Sequence, residues 1–183
     1  MAGNAVEVLA DEHRKLEDLF DRVSSPDEDR PEVLKQVVQM LSTHVAAEEQ
    51  MLIPVLRQQV RGGDDIAAKL DDERARVEDI MTNLERRKVN SPDVVGLVND
   101  LIDITSSHIA DAESSVFPAL EESLSAEELN QLGQDLASDE RRKLTHSHPL
   151  LPDRGPVAGA AAKVAEVVDN LRDRSSDINR TTS

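Results

Sequence analysis

The stretch His44-Val-Ala-Ala-Glu48-Glu49, with Pro54 ten residues after its histidine, recurs 64 residues later as His108-Ile-Ala-Asp-Ala-Glu113, with Pro118 at the same distance. Apolar residues recur around both copies at intervals of three and four, which is the spacing of a helix that packs one face on a core. Because an interior proline removes a backbone donor and clashes with the preceding turn, we expect both helices to be distorted near the prolines.

A second pair of segments repeats in the same order. Asp11-Glu12-His13 is followed 61 residues later by Asp72-Glu73-Arg74. The two repeats together predict a duplicated helical hairpin over about the first 124 residues. Short connections between long helices favour antiparallel neighbours. We therefore predict an all-α fold, an up-down-up-down antiparallel four-helix bundle with a short fifth helix appended.

Local signals give the expected helix boundaries and the domain organisation. The predicted starts and stops are Asn4 as the first cap, Pro31 and Asp64 as later starts, Gly62-Gly63 as a stop, Ser91-Pro92-Asp93 as a start, and Ser125 to Glu128 as a capping box. Residues 1–144 are expected to form the bundle, and residues 145–156 a linker rich in proline and histidine. Residues 157–183 are expected to form a weakly amphipathic tail helix with a disordered end, through which a partner could dock.

The composition excludes several classes of function. Against 21 Lys and Arg there are 37 Asp and Glu, so the formal net charge is −16. Such a surface repels nucleic acid and anionic lipid, and we expect neither as a partner. The chain has no cysteine, which excludes disulfides and thiolate metal sites. No apolar run is long enough for a membrane span and no secretory leader is evident, so we expect a cytoplasmic protein.

Histidines and carboxylates on the predicted helices suggest a metal site. His44 and Glu48 lie one turn apart, so both project from the same helix face. His108 and Glu113 are five residues apart, about 140° around an ideal helix, and would share a site only if a local bulge changed the register. Nitrogen and oxygen donors without sulfur suit non-haem iron or manganese, with zinc as a further possibility. By contrast, Glu17, Glu49 and Glu73 are expected on solvated faces.

These motifs carry a family resemblance. The order His13, His44-x3-Glu48 and His108-x4-Glu113 on a helical bundle resembles the hemerythrin family and its bacterial HHE cation-binding domains, over residues 5 to about 124. The linker and tail are similar to those of some actinobacterial members. In that family a non-haem di-iron centre binds dioxygen, nitric oxide or peroxide. The resemblance implies that His13 and His44 bind one iron and His108 the other. It also implies that Glu48 and Glu113 bridge them.

The third helix departs from the family pattern. Arg74 and Glu78 stand where the family has a His-x3-His pair. Glu78 could bind a metal, whereas the guanidinium of Arg74 has only donors and cannot. Two outcomes are open. Arg74 could take the place of a missing metal and neutralise Glu48 and Glu113, or it could point outward while His108, Glu78 and shared carboxylates hold a second ion.

The expected function follows from the resemblance. We expect a protein that holds one or two non-haem iron ions and binds dioxygen, nitric oxide or peroxide. The alternative is a metal-free structural or interaction protein in which Arg74 replaces a metal ion. Nothing in the sequence identifies a catalytic residue, so we expect a binding protein rather than an enzyme, with peroxide decomposition as an activity that the resemblance allows. Reversible dioxygen storage draws electrons from two irons and is the inherited activity most affected by Arg74.

Overall fold

A computed structural model describes residues 3–87 and 91–145 of the chain. These residues form seven α-helices and two π-helical turns: α1 (Ala5–Ser24), α2 (Arg30–Ala47), the first π-turn (Glu48–Leu52), α3 (Ile53–Gln59), α4 (Gly63–Glu85), α5 (Pro92–Asp111), the second π-turn (Ala112–Val116), α6 (Phe117–Ser123) and α7 (Ala126–Thr145). The described residues contain no strand. The helices α1, α2–α3, α4 and α5–α6 are the four expected members of the bundle, and α7 is the fifth helix. The predicted all-α fold is confirmed.

The helix boundaries agree with the local signals in the sequence. Asn4 caps α1 through its side chain, which accepts from the backbone of Glu7, while the Glu7 carboxylate accepts from the Asn4 backbone. Ser125 and Glu128 form the same capping box before α7. Gly62 adopts a left-handed conformation with φ of 74°, which costs glycine little and allows the chain to reverse between α3 and α4.

The two prolines are accommodated by π-turns rather than by simple breaks. Each π-turn lies directly before a short helix that has proline at its second position, Pro54 in α3 and Pro118 in α6. The backbone N–H of Ile53 donates to Glu48 five residues earlier, and Phe117 donates to Ala112 in the same way. Because the two turns are also 64 residues apart, the duplication seen in the sequence extends to backbone geometry.

Two aliphatic clusters fill the bundle, and a polar layer separates them. One cluster contains Leu9 from α1 and Ala112 from the second π-turn, together with residues of α3, α6 and α7. The other contains Leu16 from α1, Leu41 from α2 and Leu101 from α5. Between the two clusters lie the buried histidines of α1, α2 and α5, at positions 13, 44 and 108. The helices therefore hold three imidazoles in a layer that is apolar above and below.

Helix α7 covers one end of the bundle. Its Leu129, Leu132 and Leu136 join the same aliphatic cluster as Leu9. The helix approaches the start of α1 very closely at Gly133, where an added Cβ would lie 2.4 Å from the Gly3 carbonyl oxygen. With 20 residues, α7 is as long as α1.

None of the described helices is long and apolar enough to span a membrane. The predicted linker after Thr145 and the predicted tail helix lie outside the described residues, so the domain boundaries remain predictions.

Gly133→Ala should destabilise the protein, because the new methyl group meets backbone atoms that cannot move without separating α7 from α1. The expected loss in the free energy of unfolding is about 1–3 kcal/mol, the usual cost of overpacking. Urea denaturation gives the measurement. Gly96→Ala in α5 is the matched control, since its added Cβ would meet no described atom within 4 Å beyond its chain neighbours and its own helix backbone. Gly96→Ala should stabilise by about 0.5–1 kcal/mol, and equal effects of both changes would contradict the close packing of α7.

Candidate metal centre

Three buried histidines from three helices converge in the polar layer. One ring nitrogen from each of His13, His44 and His108 lies within 4.8 Å of the corresponding atoms of the other two. The Nε2 atoms of His44 and His108 are 3.5 Å apart. Their side chains are almost completely excluded from solvent. Imidazole nitrogens at such separations can be bridged by one metal ion, because each would need to move only slightly to reach bonding distance.

Glu48 adds a carboxylate to the three imidazoles. One of its oxygens, Oε1, lies 3.3 Å from His108 Nε2 and 3.6 Å from His44 Nε2. Glu48 is the first residue of the π-turn that follows α2, one helical turn after His44. The carboxylate is buried with the histidines. It therefore supplies negative charge and a hard oxygen donor on the side of the layer where the imidazole Nε2 atoms meet.

Two further carboxylates orient the imidazoles from behind. Glu12 Oε2 lies 2.7 Å from His44 Nδ1, and Glu73 Oε2 lies 3.0 Å from His108 Nδ1. An ionised carboxylate has only acceptors, so each Nδ1–H donates to it. This arrangement leaves Nε2 of both rings directed to the cluster, as in the carboxylate–histidine pairs that support protein metal sites. Glu12 and Glu73 are also counterparts in the internal repeat, so both copies use the same device.

His13 is held by packing instead of by hydrogen bonds. Its ring stacks on Phe117, with centroids 5.6 Å apart and planes 11° from parallel. Both of its ring nitrogens are buried and have no hydrogen-bond partner among the residues that the structure describes. A buried polar atom without a partner is rare because its desolvation is uncompensated. The unpartnered nitrogens are thus the clearest sign that a further group belongs in this layer.

The protonation of the cluster follows from burial and from the neighbouring charges. Burial, reinforced by repulsion from His44 and His108, lowers the pKa of His13 to about 3, so this ring is neutral at pH 7. Burial opposes charge on His108 as well, but Glu48 and Glu73 overcome this effect and raise the pKa of His108 to about 10. Burial also opposes ionisation of Glu48, yet electrostatic interactions with the imidazoles of His44 and His108 and a hydrogen bond from His108 lower its pKa to about 2. At neutral pH an imidazolium and a carboxylate therefore share the site.

Glu113 does not join the cluster. Its side chain is exposed, and the buried residue four positions after His108 is Ala112. The second π-turn begins at Ala112, so most of the step from His108 to Glu113 has ordinary helical pitch and carries Glu113 away from the layer. In the internal repeat, Ala112 is the counterpart of Glu48, and Glu113 is the counterpart of Glu49. The duplication therefore lacks a second inward carboxylate at this position.

Arg74 and Glu78 bind each other beside the cluster. Arg74 Nη1 lies 2.9 Å from Glu78 Oε1 and 3.8 Å from Glu49 Oε1, and Nη2 lies 3.5 Å from Asp71 Oδ1. The side chain of Arg74 is 24% exposed. Arg74 therefore neutralises carboxylates at the edge of the bundle, and its ion pairs include neither Glu48 nor Glu113. Glu78 is likewise engaged away from the imidazoles.

The residues of the layer fit a divalent cation. Three imidazole nitrogens and one carboxylate oxygen form a donor set of borderline hardness that suits iron, manganese or zinc. One of the two unpartnered nitrogens of His13 gains a partner if an ion lies among the rings. Without an ion, the proton on His108 supplies the positive charge that neutralises Glu48. A bound ion would supply that charge instead and would displace the proton.

Comparison with known proteins bears on this site. The model of the family described as hemerythrin HHE cation binding domain matches residues 4–120. The chain belongs to the hemerythrin family. Its bundle is similar to the crystal structure of a hemerythrin HHE cation binding domain-containing protein from Mycobacterium kansasii, with a TM-score of 0.71 and 21% identity over 92% of this chain and 99% of that one. At that identity the likeness shows the fold.

Two curated proteins are similar in sequence. An uncharacterized hemerythrin-like protein from Schizosaccharomyces pombe is 26% identical over 165 residues, which are 88% of this chain and 81% of that protein. A DNA nickase from a Nostoc species is 27% identical over 130 residues. These cover 70% of this chain but only 36% of the nickase. The matched region is thus about a third of that larger protein.

Within this hemerythrin-like bundle, the structure brings together four of the six residues expected to bind metal. His13, His44, His108 and Glu48 meet in one layer, whereas Glu78 and Glu113 lie outside it. The expectation that Glu73 faces solvent was wrong, since its carboxylate contacts His108. Sequence reasoning also missed Glu12. The available signal was that Glu12 and Glu73 are equivalent positions in the two copies of the internal repeat.

Glu12→Gln and Glu73→Gln should each weaken zinc binding by about 10-fold, the lower end of the range for residues that orient a metal-binding histidine. Glutamine keeps the shape of the side chain but offers His Nδ1 a weaker, uncharged acceptor. Zinc competition with a chromophoric chelator gives the affinities. Glu113→Gln removes the same charge from an exposed position and should leave the affinity unchanged. A larger loss for Glu113→Gln than for Glu73→Gln would contradict the described layer.

Zinc affinity should rise at least about 10-fold per pH unit between pH 6 and 8, because the ion must displace the proton that His108 holds below its pKa of about 10. His13 and Glu48 have lost their protons throughout this range and add nothing to the slope. Calorimetric titrations in two buffers of different ionisation enthalpy count the protons released, and at least one per zinc is expected. Affinity that does not change with pH would show that the layer carries no displaceable proton.

Proposed function

We propose that this protein binds one non-haem iron ion through His13, His44, His108 and Glu48. The observation that carries the proposal is the convergence of three buried imidazoles on one carboxylate, with no partner for either nitrogen of His13 in the described part of the chain. A buried imidazole without a partner and a buried carboxylate are costly in an apolar layer, and a cation stabilises both. Iron is proposed over zinc or manganese because the resemblance to hemerythrins implies it.

The chain's own residues would hold the ion and keep its surroundings dry. Glu12 and Glu73 fix the Nδ1–H tautomers of His44 and His108, so that the lone pairs of Nε2 face the ion. Phe117 covers His13, and the aliphatic clusters exclude water on both sides. Four protein donors leave coordination positions open on an iron ion, and there it would bind dioxygen, nitric oxide or peroxide.

The proposal assigns one metal ion to each chain because only one copy of the repeat has a full set of donors. The first copy contributes His13, His44 and Glu48. The corresponding positions in the second copy are Arg74, His108 and Ala112, of which only the histidine can bind a metal. A second cation would lie beside the fixed positive charge of Arg74, which is unfavourable at short range.

The metal-free alternative receives less support. In that alternative Arg74 takes the place of the ion and neutralises the buried carboxylates. Its guanidinium instead pairs with Glu49, Asp71 and Glu78. A metal-free layer would also leave both buried nitrogens of His13 without a partner among the described residues. A structural or interaction role, with docking through the tail, therefore depends on residues that the structure does not describe.

The charge of the chain and its similarity to known proteins bear on its partners, activity and location. The net charge of −16 supports a protein that does not bind nucleic acid. The similarity to a DNA nickase covers about a third of that protein, so its activity is not proposed for this chain. Small-ligand binding in the cytoplasm is proposed, with peroxide decomposition as the reaction to test first.

The purified full-length chain, prepared without a His tag, should bind one iron per chain after anaerobic loading with ferrous iron. The double variant Arg74→His/Ala112→Glu restores the donors that the second copy lacks and should bind about two. Elemental analysis after gel filtration measures the ratio, and Arg74→Ala/Ala112→Ser is the matched control that should remain at one. No iron in the loaded wild type would overturn the proposed function, and two in the wild type would overturn the single site.

A further inference from the structure

Thr105 carries a buried hydroxyl that makes no hydrogen bond. The residue is 2% exposed, and its Oγ1 atom is buried without a partner among the described residues. Helical serines and threonines usually solve this problem by donating to the backbone carbonyl four residues earlier. Ser42 and Thr43 do so in α2, at 2.6 and 3.0 Å. Thr105 makes no such bond, so its donor remains available.

The layer that contains Thr105 is otherwise apolar. One turn from the histidines, on the same side, α1 contributes Leu16, α2 contributes Leu41 and α5 contributes Thr105. Two of these three positions are leucines that are almost fully buried. A valine or leucine would fill the third position at no polar cost. The hydroxyl is therefore a polar exception immediately beside the candidate metal centre.

The helix geometry directs His108 and Thr105 to a common space. Residues three apart lie on the same helix face, and side chains tilt toward the helix N-terminus. The ring of His108 consequently lies over the turn that contains Thr105. Its Nε2 atom faces His44 and Glu48. A small molecule coordinated on the Thr105 side of an ion held by these rings would come within reach of the hydroxyl.

We propose that Thr105 donates a hydrogen bond to the small ligand that binds at the metal centre, and that it thereby favours ligands with an acceptor atom. The inference rests on the proposed function, because it requires a metal-bound ligand. The ligand class is a small molecule or anion with a lone pair beyond the coordinating atom, such as dioxygen, peroxide or azide. Thr105 is thus a specificity-determining residue rather than a metal ligand.

Thr105→Val and Thr105→Ser separate the hydroxyl from the shape of the side chain. Valine replaces the hydroxyl by a methyl group of similar size, whereas serine keeps the donor. The iron-loaded, oxidised full-length protein is titrated with azide, and visible absorption gives the dissociation constant. Thr105→Val should weaken azide binding about 10-fold, and Thr105→Ser should stay within about 2-fold of the wild type. Iron content should be the same in all three proteins.

Two further measurements exclude a merely structural role. The antisymmetric stretch of bound azide should shift between H₂O and D₂O in the wild type and Thr105→Ser, but not in Thr105→Val. In the metal-free protein, Thr105→Val should melt no lower than the wild type, since it removes an unpaired hydroxyl. A clearly lower melting temperature would show that the hydroxyl already has a partner, and would overturn the inference.

The outcomes distinguish this inference from the proposed function. A wild type that takes up no iron overturns the proposed function and the role of Thr105 together. A wild type that binds iron and azide, with equal azide affinity and no isotope shift in any variant, overturns the role of Thr105 alone. Weaker azide binding in Thr105→Val, with rescue in Thr105→Ser and unchanged iron content, supports both.

Discussion

The burial of three imidazoles between two aliphatic clusters is the constraint on which the rest of this structure depends. Neutral or charged, an imidazole in such a layer needs partners for both nitrogens. Glu12 and Glu73 satisfy the outer nitrogens of His44 and His108, and Glu48 faces the inner ones. Within residues 3–87 and 91–145, neither nitrogen of His13 has a hydrogen-bond partner. The bundle therefore holds an arrangement of donors whose desolvation is only partly compensated by the protein itself.

The internal repeat explains why the centre is asymmetric. Both copies contain a buried histidine, His44 or His108, and a π-turn before a proline. Both also contain a carboxylate, Glu12 or Glu73, that accepts a hydrogen bond from Nδ1 of that histidine. Only the first copy retains the histidine on the preceding helix and the inward glutamate. Arg74 and Ala112 occupy those two positions in the second copy. Both copies therefore share the same backbone features, but only the first has a full set of metal donors. The positive charge of Arg74 is neutralised by Glu49 and Glu78 at the edge of the bundle.

Much of the fold could be predicted, because its signals are local. Apolar spacing, the capping boxes at Asn4 and Ser125, and proline at the start of α5 each act within a few residues. The candidate site was only partly predictable. His44 and Glu48 share a face at four-residue spacing, so their proximity follows from one helix. Whether His108 and Glu113 share a face at five-residue spacing depends on where the π-turn begins, and the sequence does not fix that position.

The sequence by itself determined the helices, their order and the duplication. These follow from periodicity and from residues that are close along the chain, whereas the resemblance to hemerythrins implied that the three histidines share a site. Only the tertiary structure decided that Ala112 instead of Glu113 faces inward, that Glu12 and Glu73 contact imidazoles on other helices, and that Arg74 pairs at the edge. The physical reason is that side-chain partners across helices depend on helix rotation, and a single π-turn changes that rotation without leaving a mark in the apolar pattern.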